Sequence, residues 1–125
     1  MQFDLVSPEK RVASFEATAV DLPGSEGDMT AMEGHAALIS ALRPGIVSCV
    51  GDKETNKYVI SGGFAEITSS SVVVLADRVF RLEEFTRETK DGLVEYFLNE
   101  SEGKSGLELD LASKKVADAK AIEIQ

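Results

Sequence analysis

The side chains best suited to acid–base chemistry lie in one glycine-rich stretch, residues 24–45. His35 is the only histidine, and Asp28 and Glu33 lie near it in sequence. General acid–base catalysis needs the imidazole within hydrogen-bond reach of a nucleophile and oriented by a carboxylate. No G-x-S-x-G motif supplies that nucleophile, and a histidine in a loop or an interface explains the pattern better. We therefore expect no catalytic residue here.

The same stretch is poorly equipped to bind a metal ion or a phosphate. His35 and Cys49 lie fourteen residues apart, which does not match the ligand spacing of a zinc site. Glu26, Asp28 and Glu33 can hold a hard cation weakly, although a solvated acidic loop explains them more simply. The glycines at 24 and 27 are not followed by the Lys and Ser or Thr of a phosphate-binding loop. The sequence predicts no metal and no cofactor.

Composition excludes several classes of partner. The 125 residues suit one domain with a small appendage. A formal net charge of −9 argues against binding to nucleic acid, because neutralising phosphates needs clustered Lys and Arg. The single Cys49 cannot form an internal disulfide and is expected in the core of a protein from a reducing compartment. We find no secretory signal and no apolar run near the ~20 residues of a membrane helix, so we expect no direct membrane insertion.

Short apolar segments separated by turn residues fill the first two thirds of the chain. They alternate with period 2 or are rich in β-branched residues, both typical of strands. Many short strands without helices between them favour an antiparallel β-sandwich or flattened barrel over residues 1–81. The predicted strands are residues 2–7, then 10–14 with 17–22 as one further strand or a bulged pair, and 27–32, 36–42, 46–50, 58–61, 64–68 and 72–76.

The pattern changes to a helical period near Arg81. We predict one helix from about Leu82 to Leu98, weakened by Gly92, then a polar linker and a second helix from about Glu108 to Lys120. Residues 107–111 also alternate as a strand would. Helices this short need another surface to pack on, either each other, the sandwich or a partner. Residues 82–125 therefore form a separate helical part in this reading.

Two functional classes remain open from the residues alone. Met29 and Met32 lie beside His35, and methionine side chains adapt well to protein contacts, which favours an interaction surface. The alternative is a free-standing β-sandwich that binds a small ligand or a polysaccharide. With no Trp and two Tyr, the sequence offers little for an aromatic-lined groove.

Six short segments occur in an order that resembles a known family. They are Leu-Val-Ser-Pro at 5–8, Gly-Ser-Glu-Gly-Asp at 24–28, Gly-His-Ala at 34–36, Leu-Arg-Pro-Gly at 42–45, Ser-Gly-Gly-Phe at 61–64 and Leu-Ala-Asp at 75–77. Over about residues 3–90 the chain resembles the epsilon subunit of rotary F-type ATP synthases. The resemblance implies a ten-stranded β-sandwich followed by a C-terminal two-helix hairpin.

The resemblance also implies a function and partners. In that family the protein is a non-catalytic subunit of the central stalk, which links subunit gamma to the ring of c subunits and couples proton flow to ATP synthesis. It is peripheral, on the cytoplasmic face of the bacterial inner membrane. By position, the resemblance assigns contact with the c ring to Asp28 and Met29. It assigns contact with gamma to Ser7, His35 and Ser40.

The resemblance reaches the start of the helices, where some bacterial members bind ATP. It implies a regulatory hairpin that can contact the alpha and beta subunits, and an Asp-x-x-Arg-Ala motif for the nucleotide. Here Glu84 and Arg87 match the acid and the arginine, but Glu88 replaces the small apolar residue. Because this second negative charge would repel a nucleotide, we predict that ATP binding at Glu84 and Arg87 is weak or absent.

Overall fold

The computed structural model describes residues 1–124, and over this range it has ten strands followed by two helices. Strand β4 pairs with β3, and the other nine follow the order β10-β7-β6-β3-β5-β8-β9-β1-β2. The strands are β1 (Gln2–Val6), β2 (Arg11–Glu16), β3 (Ala19–Gly24), β4 (Gly27–Met32), β5 (Leu38–Leu42), β6 (Gly45–Val50), β7 (Thr55–Ile60), β8 (Gly63–Ile67), β9 (Ser71–Ala76) and β10 (Val79–Arg81).

The ten strands form two layers that meet at one point. Strands β3 and β5 pair only at Gly24 and Leu42, so the sheet folds over there. One layer is β4-β3-β6-β7-β10, and the other is β5-β8-β9-β1-β2. The prediction of a β-sandwich with about ten strands is confirmed. The pairing is antiparallel except between β1 and β9, which run parallel, a feature that local sequence patterns do not reveal.

The core between the layers is built from small and medium apolar side chains. Alternation along each strand places one set inside, as with Phe3 and Leu5 on β1 and Val72 and Val74 on β9, all of which are fully buried. Cys49 is buried among them, as predicted, and burial raises the pKa of its thiol.

The strand β10 and the start of the first helix differ from the prediction. Strand β10, only three residues long, was not expected; it pairs with β7. The predicted helix from Leu82 to Leu98 is wrong at both ends, because Leu82–Glu84 forms a 3-10 turn and helix α1 spans Arg87–Ser101. The break has a cause: Phe85 is buried against the sheet, and the hydroxyl of Thr86 then caps the new helix by accepting from the Thr89 amide at 3.3 Å.

The second helix, α2, spans Gly106–Lys120, so the alternative of a strand at residues 107–111 is wrong. After the short linker 102–105, α2 turns back and packs against α1 as the second helix of a hairpin. Both helices lie on the outer face of the sheet formed by β6, β7 and β10. The floor of that contact is a row of side chains in register across three strands: Ile46, Val59 and Phe80. The two helices and the segments that flank them cover this row with Leu82, Phe85, Leu93, Phe97, Val116, Ala119 and Ile122.

Candidate contact surfaces

The turn between β3 and β4 forms an exposed tip at one end of the sandwich. Gly24 pairs with Gly27, and a Cβ on Gly24 would collide with the Gly27 carbonyl, so the turn needs glycine there. Gly27 has a φ of +147°, which favours glycine as well. The carboxylate of Asp28 stands just beside this turn, with 82% of the side chain exposed. The predicted contact residue Asp28 therefore lies at an accessible edge, whereas Met29 beside it is half-buried against the core.

Arg43 fastens this tip to the neighbouring strand. Its Nη1 donates to the Gly24 carbonyl at 2.6 Å, and its Nη2 donates to Oδ1 of Asp28. Its own amide donates to the Pro23 carbonyl at 2.9 Å. Sequence reasoning assigned no role to Arg43, because its side-chain partners Gly24 and Asp28 are nineteen and fifteen positions away in the chain.

His35 lies at the opposite end of β4 from Asp28. Because a strand rises about 3.3 Å per residue, the four steps from Asp28 to Met32 already span about 13 Å. The Nδ1 atom of His35 is 2.6 Å from the carbonyl oxygen of its neighbour Ala36, and the hydrogen bonds of this ring involve no carboxylate among residues 1–124. The structure thus separates His35 from Asp28, and a carboxylate oxygen of Glu33, the other nearby acid, lies 4.0 Å from the Met1 amino group.

The outer face of the other sheet carries an exposed apolar row, here called the bare row. Four side chains lie in register across β5, β8, β9 and β1: Ala41, Phe64, Leu75 and Val6. Phe64 is 57% exposed and Leu75 is 52% exposed. Ile39, 72% exposed, shares this face because it is two residues from Ala41 on β5. Large apolar side chains that line up on an open sheet face mark a protein contact surface.

The three residues assigned to gamma by resemblance differ in their positions relative to the bare row. Ser7 follows Val6 directly and closes a turn with Lys10, so it lies at one end of the row. Ser40 lies between Ile39 and Ala41 and is half-buried, so it takes the opposite side of β5. His35 lies in the loop before β5, whose Gly34 amide is bonded to the Ser69 carbonyl at 2.7 Å.

Sequence reasoning did not find the bare row, although one signal for it was present. Residues 72–76 of β9 are continuously apolar, whereas a strand with one solvated face alternates apolar and polar residues. An unbroken apolar strand therefore indicates that both faces are covered. Within residues 1–124, one of the two faces has no cover.

Comparison with known proteins decides the family. A model of the family described as ATP synthase, Delta/Epsilon chain, beta-sandwich domain matches residues 1–82. The chain belongs to this family. A relative named ATP synthase epsilon chain from Fuscovulum blasticum is 48% identical over 124 residues, which cover 98% of this chain and 93% of the relative. Another from Cereibacter sphaeroides is 52% identical over 94 residues, which cover 75% of this chain and 71% of the relative.

Two solved structures share the fold of this epsilon-chain homologue. A chain in the mitochondrial ATP synthase of Euglena gracilis, solved with its F1 sector and c ring, superposes with a TM-score of 0.69 and 23% identity, covering 93% of this chain and 74% of that one. A chain in the central stalk and c ring of the Tetrahymena thermophila mitochondrial enzyme gives a TM-score of 0.68 and 14% identity, with coverages of 96% and 93%. The identification by resemblance is confirmed.

The residues matching the family's nucleotide motif are exposed and lie on different elements. Glu84 ends the 3-10 turn, whereas Arg87 is the first residue of α1. Thr86 between them is engaged in capping the helix. Glu88 adds its negative charge in the first turn of α1. The prediction about ATP stays a prediction.

Residues 1–124 contain neither a candidate metal site nor a candidate membrane-spanning helix. No group of three His, Cys, Asp or Glu side chains within residues 1–124 is arranged to hold a metal ion. Neither helix in that range is both long enough and apolar enough to span a bilayer.

Proposed function

We propose that this chain is the epsilon subunit of the central stalk of a rotary ATP synthase, where it links gamma to the ring of c subunits. In this role it couples proton translocation to ATP synthesis without catalysing a reaction. Membership in the ATP synthase epsilon-chain family supports this role rather than that of a ligand-binding sandwich. The single structural observation that carries it is the bare row, because a stalk subunit needs a permanent protein contact.

The bare row is the proposed contact with gamma. Phe64 lies near its centre, flanked by Ala41 and Leu75. A large aromatic side chain at the centre of an apolar patch is the type of residue that dominates binding energy. Ser7 and His35 lie at margins of this side, and we assign them to the same interface. Ser40 is assigned to gamma by the resemblance alone, because its side chain lies on the opposite side of β5.

The tip of the β3–β4 hairpin is the proposed contact with the c ring. Asp28 presents an exposed carboxylate there, whereas its neighbour Met29 is half-buried against the core and borders the same tip with an adaptable apolar side chain. The tip lies at one end of the sandwich, whereas the bare row lies on one of its faces, so the two partners can bind together. The ring of c subunits lies in the membrane. A subunit whose tip binds this ring is therefore peripheral to the membrane, and we place it on the cytoplasmic face of a bacterial membrane.

The lack of a catalytic role is supported by the two side chains most suited to chemistry. His35 is bonded within its own loop, and no carboxylate orients it within residues 1–124. Cys49 is buried, and its raised thiol pKa opposes formation of the nucleophilic thiolate. A subunit that transmits force needs neither group to react.

The helical part, residues 82–125, is proposed as a second, movable unit beside the sandwich of residues 1–81. Exposed leucines on α2, with Leu107 72% and Leu111 56% exposed, suit a contact with the alpha and beta subunits. The charge of Glu88 beside Glu84 and Arg87 supports weak or absent ATP binding.

Binding of the purified chain to gamma and to isolated c rings tests the proposal. We expect Phe64→Ser to weaken gamma binding at least tenfold, because it removes the central aromatic contact. Asp28→Arg should weaken ring binding and leave gamma binding unchanged, whereas His35→Ala should lower gamma binding by a smaller factor. Leu107→Ser is the matched control, since it also removes an exposed apolar side chain but lies on α2.

Three results would contradict the proposal. The first is that wild type binds neither gamma nor the ring. The second is that Phe64→Ser and Leu107→Ser bind gamma equally well. The third is that Asp28→Arg binds the ring as tightly as wild type, which would remove the tip from the ring interface.

A further inference from the structure

We propose that Arg43 is a positioning residue, which holds the β3–β4 tip and the Asp28 carboxylate in the shape that docks on the c ring. This inference rests on the proposed function of the tip. Nothing in the resemblance assigns a role to Arg43, and the role follows from its contacts.

The tip has few fastenings of its own. The two central residues of the turn, Ser25 and Glu26, are exposed. Besides the pairing within the hairpin, the tip is connected to β5 by the pairing of Gly24 with Leu42 and by the bond from the Ser25 amide to the Ala41 carbonyl at 2.9 Å. A two-residue turn with glycine on both sides is otherwise free to flex.

The guanidinium of Arg43 bridges the two strands of this hairpin. It donates to the Gly24 carbonyl at the end of β3 and to the Asp28 carboxylate at the start of β4. Arg43 itself is well anchored, because its amide is bonded to Pro23 and its side chain is only 27% exposed. The planar, forked guanidinium can reach both acceptors together, whereas the ammonium of a lysine cannot match this geometry.

The bridge fixes what the tip offers to a partner. It engages Oδ1 of Asp28 and leaves Oδ2 to accept a hydrogen bond from outside. An acceptor whose position is set before binding loses less conformational freedom on docking. Because the Asp28 side chain is largely exposed, the ion pair contributes little to folding. Loss of Arg43 should therefore change affinity for the ring more than stability of the chain.

A double-mutant cycle on the full chain tests this role. Arg43→Gln should weaken ring binding about tenfold, which corresponds to about 1.4 kcal/mol, while gamma binding and the melting temperature stay close to wild type. Arg43→Lys should recover only part of the loss. Asp28→Asn should also weaken ring binding, but by a much smaller factor when Arg43→Gln is already present, since both changes break one arrangement.

Two further measurements separate positioning from a general structural effect. In the free chain, amide hydrogen exchange at Ser25 should be faster in Arg43→Gln than in wild type, because the turn is released. Arg11→Gln is the matched control: Arg11 is an exposed arginine 3.9 Å from Asp4 on the other sheet, and its loss should alter neither ring binding nor exchange at Ser25. Circular dichroism shows whether each variant is folded, and Arg43→Lys keeps the test open if Arg43→Gln is not.

The outcomes that overturn the proposal differ from those that overturn the proposed function. If wild type binds the ring and Arg43→Gln binds it equally well, the positioning role is wrong and the function stands. Strictly additive losses in the double mutant, with unchanged exchange at Ser25, would likewise show that Arg43 does not act through Asp28. If wild type binds no ring at all, the proposed function of the tip fails and the positioning role fails with it.

Discussion

The two outer faces of the sandwich carry similar apolar rows with opposite fates. On one sheet Ile46, Val59 and Phe80 lie in register and are covered by the chain's own helices. On the other sheet the bare row, with Phe64 and Leu75 at its centre, has no cover within residues 1–124. A polar outer face would need no cover, so each row indicates a contact. Residues 1–124 therefore supply one of the two covers, and the bare row is free for the contact with gamma proposed above.

The largest expected effect lies in the covered face. Phe85 is 1% exposed, and its ring centroid lies 5.6 Å from that of Phe80. Phe85→Ala should lower the free energy of unfolding by about 3–5 kcal/mol, because it opens a cavity between the helices and the sheet. Chemical denaturation of the isolated chain measures the change.

Phe64→Ala on the bare row is the matched control for this prediction. The same truncation there should change the stability of the isolated chain by less than about 0.5 kcal/mol, as is usual for surface sites. Equal losses at Phe64 and Phe85 would break the comparison, since they would show that the isolated chain also covers the bare row.

A smaller effect is expected where the end of the chain is tied to α1. The Nζ of Lys90 donates to the Ile122 carbonyl at 2.6 Å. Lys90→Met keeps the aliphatic stem but removes this charged donor, so we expect a loss of about 1–2 kcal/mol and faster hydrogen exchange near the end of α2. Lys115→Met, at an exposed lysine of α2, should leave both quantities unchanged. Equal behaviour of the two variants would mean that the bond does not secure the helices.

A contact between the β9–β10 turn and α1 also holds the helices on the covered side of the sandwich. The guanidinium carbon of Arg78 lies 4.1 Å from the ring centroid of Tyr96. In a cycle of Arg78→Ala and Tyr96→Ala, we expect a coupling energy of about 0.5–1 kcal/mol in unfolding, typical of an exposed cation–π pair. A coupling energy of zero would mean that the Arg78–Tyr96 pair does not help to hold the helices on the sheet.

The smallest effect concerns the core that both faces share. Burial raises the pKa of Cys49 above its ordinary value, so the folded state holds this proton more tightly than the unfolded state. The resulting stability is present below the unfolded pKa of about 8.5 and is lost as the pH rises above it. Melting temperatures between pH 7 and pH 10 should therefore fall more for wild type than for Cys49→Ala. Parallel curves for the two proteins would contradict this assignment.

Prediction from sequence succeeded where one local pattern was sufficient. Except for β10, the strands followed from alternation and turn residues, and Cys49 was placed in the core because its neighbours are apolar. The first helix was placed wrongly because Leu82 and Phe85 fit a helical period. In the structure they are held by the sheet, which breaks the chain at Phe85 before Thr86 caps α1.

For the candidate site, the resemblance identified the exposed tip, but the sequence did not show that Arg43 holds it in place. Asp28 was singled out through the resemblance, and the structure places it at an accessible turn. The partnership with Arg43 was missed, since it joins residues fifteen positions apart on different strands. His35 and Asp28 lie near each other in sequence, yet the extended strand β4 separates them, because Asp28 lies near its start and His35 follows its end.

The order of six short segments was enough to recognise the family. The division into strands followed by helices and the positions of most turns could also be read from the sequence, because side-chain periodicity and backbone preferences act over a few residues. Only the tertiary structure decided which apolar row the helices cover, which row stays bare, and that Arg43 meets Asp28. Those outcomes depend on strand order and register, and both are set by packing between segments far apart in the chain.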